Sequence, residues 1–343
     1  MSGKRADAAP VRLGVVGYGY WGPNLLRNFR ATPGVVPAML VDQDAARLEQ
    51  ARMQYPALET TSDVDRLFDD DQIDAVVIAT PVSTHYSIAK RALEADKHVL
   101  VEKPMTTTVA EAEDLVRLAA KRQRCLMVDH TFLFNPAIRT IKELVQSGKL
   151  GDILYYDSTR INLGLFQRDV SVVWDLGPHD FSIMDYLLGK SPVSLTANGS
   201  RFGGDQASVA FVVARFADAT IAHFHLNWMS PTKVRRIMVG GSQKMVVYDM
   251  ALPEEQVKVY DKGVDFVARE GVHQTLVQYR IGDMRAPQIP NIEPLALMCR
   301  EFVDAIRNGC RPLTDGEAGL RIVKLLTAAQ HSLERDGNPV ALT

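Results

Sequence analysis

Six residues, Gly17-Tyr18-Gly19-Tyr20-Trp21-Gly22, form a complete G-x-G-x-x-G between a short apolar run and a helical pattern. Each glycine has a physical task. Gly17 permits a tight turn, Gly19 lets the main chain approach a pyrophosphate, and Gly22 allows close helix–strand packing. The helix that follows offers main-chain N–H groups to phosphate oxygens. Glycine-rich turns are common, and it is the strand–turn–helix setting that makes this one a dinucleotide-binding expectation, with Tyr20 and Trp21 lining the same ligand. Asp42 stands roughly twenty residues on. A carboxylate there accepts the ribose hydroxyls of the adenosine half and repels a 2′-phosphate, which favours NAD over NADP. Arg47 still offers a seat for a phosphate, so NADP stays open. Asp42 also reads as a cap for the helix that begins near Asp44.

Three further clusters carry chemistry. Thr80-Pro81 closes the run Ala75–Ala79, and loops at the carboxyl ends of parallel strands line the ligand crevice, so both are expected to border the cofactor. His85 follows, either at that border or as a packing residue. Val101-Glu102-Lys103-Pro104 ends the next run. Two opposite charges at the mouth of a buried strand are either an exposed ion pair or a functional one, because unpaired buried charge is expensive. Pro104 restricts Lys103 to extended conformations and so directs its ammonium. In Trp174-Asp175-Leu176-Gly177-Pro178-His179-Asp180, Asp175 and His179 are four apart and share a helix face. Pro178 is tolerated in a first turn, which predicts Asp175 near the N-cap and His179 just inside.

The elements that position these groups alternate in type. Arg12–Val16, Val36–Val41, Ala75–Ala79, His98–Val101 and Cys125–Val128 are brief apolar runs, as expected of strands buried on both faces of a parallel sheet. Helical patterns lie between them at Asn24–Arg30, Asp44–Gln54, Ser83–Glu94 and Val109–Lys121. The alternation predicts an α/β, doubly wound Rossmann domain over residues 10–130. After Asp129 the rhythm changes. A helix over Pro136–Ser147 precedes the strand-like ILYYDSTRIN, then alternating runs such as SVAFVVARF, TIAHFHLNW and KMVVYD follow with short separators, as hairpins require. Helices at Pro294–Arg307 and Gly316–Arg335 close the chain. Residues 131–343 are therefore expected to be an α+β domain with a large, mostly antiparallel open sheet.

Composition excludes several classes. The 343 residues hold 39 basic and 41 acidic side chains, a net charge of −2, which argues against nucleic-acid binding through a general positive field. Cys125, Cys299 and Cys310 make no CxxC pair, so neither a zinc knuckle nor a disulfide framework is supported. His223 and His225 alternate on one strand without a third ligand, and a sheet-face or subunit-interface role is preferred to metal binding. No run reaches the eighteen or so apolar residues of a membrane span, and MSGKRADAAP lacks an apolar signal core, so the expectation is a cytoplasmic protein with no membrane or metal partner.

GYGYWGPN, VIATPVSTH, VEKP and WDLGPHD, in this order and at these spacings, resemble the glucose–fructose oxidoreductase / inositol dehydrogenase / rhizopine-catabolism (Gfo/Idh/MocA) family. The likeness spans nearly the whole chain, including SGKLGDI. It implies a nicotinamide-dependent oxidoreductase in which Lys103 matches the active-site lysine, Asp175 and His179 match its polar partners, and the open sheet packs against another subunit in a homodimer or homotetramer. Two positions depart from many members: Leu133 replaces an arginine and Ser182 an aspartate. The implied reaction moves a hydride between a secondary alcohol and nicotinamide. His179 serves as general base and Lys103 stabilises the oxygen's charge, roles that can be exchanged; Asp175 orients the site or binds a neighbouring hydroxyl. Within Thr159–Asp169, Asn162 and Arg168 are substrate-binding candidates, since arginine suits a carboxylate or diphosphate; Arg160 there also reads as an ordinary strand charge. NLGLFQRD and GYGYWGPN are similar to members acting on nucleotide sugars, so a nucleotide-linked hexose is the expected substrate. A free-sugar or cyclitol dehydrogenase, an NAD-dependent glycosidase and a non-catalytic dinucleotide sensor are the alternatives.

Overall fold

In the computed structural model, which describes residues 9–164, 170–268 and 275–342, the five apolar runs become parallel strands. They are β1 (Val11–Val16), β2 (Val35–Val41), β4 (Ala75–Ile78), β5 (His98–Glu102) and β6 (Leu126–Asp129), joined by the three-residue β3 (Glu59–Thr61). The order is β3-β2-β1-β4-β5-β6, parallel throughout, with Leu13 facing Ala75 across β1 and β4. Sequence neighbours β1 and β2 lie on one side and β4 on the other. The carboxyl ends of β1 and β4 therefore form the switch point at which such sheets hold ligands. β1 and β4 to β6 are almost wholly buried, as their lack of polar alternation predicts.

The intervening helices are α1 (Gly22–Ala31), α2 (Ala45–Gln54), the short α3 (Asp65–Asp69), α4 (His85–Glu94) and α5 (Val109–Arg122). Their starts have local causes. Asp44 caps α2 by accepting from the Ala46 N–H at 2.9 Å, and Thr108 with Glu111 makes a reciprocal capping box on α5. Neither β3 nor α3 was expected, since each is too short to show a period.

The second architecture begins with α6 (Pro136–Gln146), capped by Asn135, and continues through β7 (Ile153–Leu163) and α7 (Val172–Leu188). Then come β8 (Ser194–Arg201), β9 (Ala207–Arg215), β10 (Ile221–Asn227), β11 (Met229–Gly241), β12 (Met245–Asp249) and β13 (Val257–Tyr260). β14 (Gly263–Ala268) and β15 (Thr275–Arg280) form a separate ribbon; β16 (Met284–Arg285) and β17 (Val340–Ala341) are edge strands. The nine-stranded order is β16-β13-β12-β11-β7-β10-β9-β8-β17, antiparallel except for β7 with β10. One face is apolar and packs on α7. Phe224 of β10 meets Phe181 of α7 edge-on at 4.8 Å, and Tyr156 of β7 lies beside it. Each such buried ring stabilises by about 2–3 kcal/mol.

The chain divides into two units, Met1–Phe134 with Ile292–Val323 and Asn135–Asn291 with Lys324–Thr343. A single cut near residue 130 therefore misplaces α8 (Pro294–Asn308) and the first turns of α9 (Gly316–Glu334), which return to the first unit. The reason is packing on α1. Phe302 meets Phe29 edge-on at 6.2 Å, and Glu293 bridges Arg27 at 2.6 Å and Asn28 at 3.1 Å.

A second difference concerns α7. It starts at Val172 after Ser171, so Asp175 is not at the N-cap and Pro178 lies inside the helix rather than in its first turn. Proline there removes one main-chain donor and crowds the preceding residue. That residue is Gly177, whose missing Cβ relieves the crowding; a Cβ would also sit 3.3 Å from Leu326.

Candidate active site

In the first unit the glycine loop has the shape the motif requires. Gly17 has φ +99°, and a Cβ on it would lie 2.5 Å from the Ala79 carbonyl oxygen at the end of β4. A Cβ on Gly22 would lie 2.1 Å from the Gly17 carbonyl oxygen, so the loop closes on α1 only with glycine at both places. A Cβ on Gly19, by contrast, would project into space bordered, among the described residues, only by Arg47, at 3.6 Å. That space fits a dinucleotide pyrophosphate. Helix α1 carries no acidic residue in its first turn to compete with it. Asp42 is buried at the end of β2. Its Oδ2 accepts from the Tyr18 N–H at 2.6 Å and its Oδ1 from the Asp44 N–H at 2.8 Å. It therefore anchors the loop, while the capping of α2 falls to Asp44. Arg47 lies 3.6 Å from Asp42 and is half-exposed.

Tyr20 and Trp21 part company. Tyr20 is 92% exposed, whereas the Trp21 indole donates to Asp129 Oδ2 at 3.0 Å, at the end of β6. Asp129 also accepts from the Thr131 main-chain N–H at 3.0 Å and from its hydroxyl. The Glu102 carboxyl, at the end of β5, hydrogen-bonds Asp129 and accepts from the Lys103 N–H at 3.3 Å through Oε2. Burial, and then the Asp129 carboxylate, push Glu102 well above the usual carboxylate range. Glu102 is thus paired with the Asp129 carboxyl inside the strand ends and is not one half of an exposed strand-end ion pair. Its Oε1 is shielded from solvent and unpartnered among the described residues. Lys103 follows it directly, and the Lys103–Pro104 peptide is cis.

Thr80 and Pro81 stand at the switch point, and the Thr84 hydroxyl donates to Thr80 Oγ1 at 2.7 Å. His85 is buried, with Nδ1 2.9 Å from the Pro104 carbonyl and Nε2 2.9 Å from that of Thr80. Burial, the larger influence, lowers its pKa against the pull of those two oxygens. A neutral imidazole carries one N–H, so His85 donates to one of these two carbonyls while its ring sits between the Thr80 and Pro104 loops. His130 was not anticipated. It follows Asp129 and is buried, with neither ring nitrogen bonded among the described residues. Burial pushes its pKa down to about 4.

In the second unit Asp175 and His179 lie one turn apart on α7 and are partly exposed. The buried Trp228 indole donates to Asp175 Oδ2 at 2.9 Å. Ser182, one of the two departures noted above, donates its hydroxyl to the His179 carbonyl at 2.9 Å. Behind them Arg160 of β7 is buried and ion-paired with Asp180, which also accepts from Ser158 at 2.6 Å. Arg160 is therefore an internal pair and not a surface charge. Asn162 accepts from Arg235 of β11 at 3.3 Å. Arg168 lies outside the described residues. His223 pairs with Asp157 at 2.8 Å, and Phe211 stacks on His225 at 4.5 Å.

Asp129 and His130 were open to the strand-end rule that selects Thr80 and Glu102. Trp228 and Arg235 carry no motif and become visible only through strand register.

A parallel-sheet domain with this glycine loop, followed in the same chain by an α+β unit, is the architecture of an NAD-binding oxidoreductase. The chain belongs to the Gfo/Idh/MocA oxidoreductase family, NAD-binding Rossmann fold. That family's model matches residues 11–130, and the GFO/IDH/MocA C-terminal domain matches residues 138–247. The uncharacterized oxidoreductase YdgJ of Escherichia coli is 31% identical over 261 residues, covering 72% of this chain and 74% of the relative. The UDP-N-acetylglucosamine 3-dehydrogenase of Acidithiobacillus ferrooxidans is 27% identical over 317 residues, covering 91% and 94%. The crystal structure of GenD2 from gentamicin A biosynthesis, in complex with NAD, shares the fold with a TM-score of 0.83 at 23% identity, covering 99% and 98%. Among the described residues no helix is long and apolar enough to cross a membrane.

Proposed function

We propose that this protein is an NAD-dependent dehydrogenase of a sugar secondary alcohol, with a nucleotide-linked hexose as substrate. The observation that carries the reading is the retention of Lys103 beside the Glu102–Asp129 pair in an NAD-binding domain, together with Asp175 and His179 on one face of α7. The 27% identical UDP-N-acetylglucosamine dehydrogenase supports the nucleotide-linked substrate.

Gly17, Gly19, Trp21, Gly22, Asp42, Thr80 and Pro81 would hold the dinucleotide, which would supply the acceptor for the hydride released from the carbinol carbon. His179 takes the hydroxyl proton, so the C–H electron pair and the O–H proton leave together and a ketone remains. Lys103 donates to the same oxygen and stabilises its developing negative charge. Asp175, oriented by Trp228, binds a neighbouring hydroxyl. Arg168 and Asn162 meet polar groups farther along the substrate.

A second copy of the chain is the proposed partner. The sheet face bearing Tyr155, Phe211, His223 and His225 carries apolar side chains that remain 37% exposed at Tyr155 and 45% at Phe211. Purified protein mixed with NAD and a panel of nucleotide sugars, free sugars and cyclitols tests the activity through the absorbance of reduced cofactor. Reduction with UDP- or dTDP-hexoses above all others is expected. Reduction with cyclitols alone would move the assignment to an inositol-type dehydrogenase, and NAD recycled without net reduction would indicate a glycosidase.

A further inference from the structure

Arg235 faces Arg160 across the β7–β11 ladder, so both side chains leave the same side of the sheet. Their circumstances differ. Arg160 is neutralised by Asp180. Arg235 spends Nη2 on Asn162, while its Nη1 is shut away from solvent with no acceptor and no ion pair among the described residues. Burial, then repulsion by Arg160, act against its charge, and Asp180, Tyr248 and Asp175 favour it through space. Asn162 gives Oδ1 to Arg235, and its amide nitrogen donates to nothing among the described residues. Two unspent donors, one on a cation, therefore lie side by side.

Their position relative to α7 is set by main chain. Gly164, two residues beyond Asn162, donates its N–H to the Trp228 carbonyl at 2.9 Å, and the Trp228 indole holds Asp175. A buried guanidinium nitrogen left without an acceptor is costly, and a planar fork of donors matches an oxyanion.

We propose that Arg235 and Asn162 form an oxyanion subsite beside Asp175, which receives a carboxylate or phosphate group of the substrate. The inference rests on the dehydrogenase reading above and narrows it to an acidic or phosphate-linked sugar. Arg235 donates from Nη1 and Asn162 from Nδ2 to the same anionic group. Asp175, held by the Trp228 indole, is assigned the ring hydroxyl and not the anionic group.

The test is calorimetric titration of the full-length, NAD-loaded protein with glucose, glucuronate and glucose 1-phosphate, with NAD reduction followed in parallel. Glucuronate or glucose 1-phosphate is expected to bind about 30-fold more tightly than glucose, as a charged hydrogen-bond pair supplies. Whichever of the two is preferred identifies the anionic group. Arg235→Gln is expected to erase the preference. Arg235→Lys, which keeps the charge without the fork, is expected to retain part of it, and melting curves of both variants report their folding. Equal binding of the three sugars, no binding of any, or a preference that survives Arg235→Gln overturns the subsite. An oxyanion preference without NAD reduction leaves the subsite standing and refutes the dehydrogenase reading. NAD reduction without the preference does the reverse.

Discussion

The Trp228 indole N–H lies 2.9 Å from Asp175 Oδ2, so the residue that links β10 to β11 orients the carboxylate that α7 carries. Trp228 is 1% exposed, and its ring has no freedom to follow a moving partner. Trp228→Phe removes the donor and leaves most of the packing. It is expected to lower kcat about tenfold, the effect of roughly one charged hydrogen bond, with KM for NAD unchanged. Steady-state kinetics at saturating NAD check this.

Asp42 anchors the Tyr18 N–H, and in the proposed function it also accepts the adenosine ribose hydroxyls. Asp42→Ala is expected to raise KM for NAD about 10- to 100-fold and to narrow the preference for NAD over NADP, because Arg47 is then freed from an acid 3.6 Å away. Initial rates with both cofactors measure the two effects.

His130 makes stability depend on pH. Its pKa is pushed down to about 4 from 6.5 by burial, with Lys103 and Arg321 opposing its charge and Asp129 favouring it. Between pH 6.5 and 4 the unfolded chain binds a proton that the folded chain refuses. Stability is thus complete above 6.5 and is lost as pH falls through that window, by up to about 3 kcal/mol. Glu102 acts oppositely, since its raised pKa favours the folded state at lower pH. A comparison between His130→Phe and the parent isolates the histidine. Denaturant titrations at pH 7 and pH 4.5 should show the variant gaining stability relative to the parent as pH falls; a constant difference would contradict the account.

Arg160 and Asp180 form a buried pair that breaks badly from one side. Arg160→Met strands the Asp180 carboxylate and is expected to cost about 3–5 kcal/mol. Arg160→Met combined with Asp180→Leu is expected to recover most of that loss. Urea midpoints of the two variants give the comparison.

The parts of the site set by local spacing were readable in the chain. Gly17, Gly19 and Gly22 sit where a turn must close, and Glu102 and Lys103 sit where a buried run ends. Parallel strands also announce themselves, because burial on both faces leaves an unbroken apolar run. What depends on long-range register was not readable. Arg235 reaches Arg160 and Asn162 only after β11 pairs with β7, and Trp228 reaches Asp175 only once α7 packs on that sheet. Pro178 misled in the other direction. A proline argues for a first turn, yet Gly177 before it lets α7 run through. Likewise α8 follows the second unit in sequence and packs with the first, because Phe302 and Glu293 have their partners on α1.

The central claim is that Lys103 and His179 handle the proton and the charge of one substrate oxygen while NAD takes the hydride. Rapid-scan absorbance of cofactor reduction in the parent, His179→Ala and Lys103→Ala measures it, with the nucleotide sugar that the panel selects. Each variant is expected to reduce NAD at least about 100-fold more slowly than the parent, with NAD affinity retained in His179→Ala. Parental rates of reduction in both variants would contradict it.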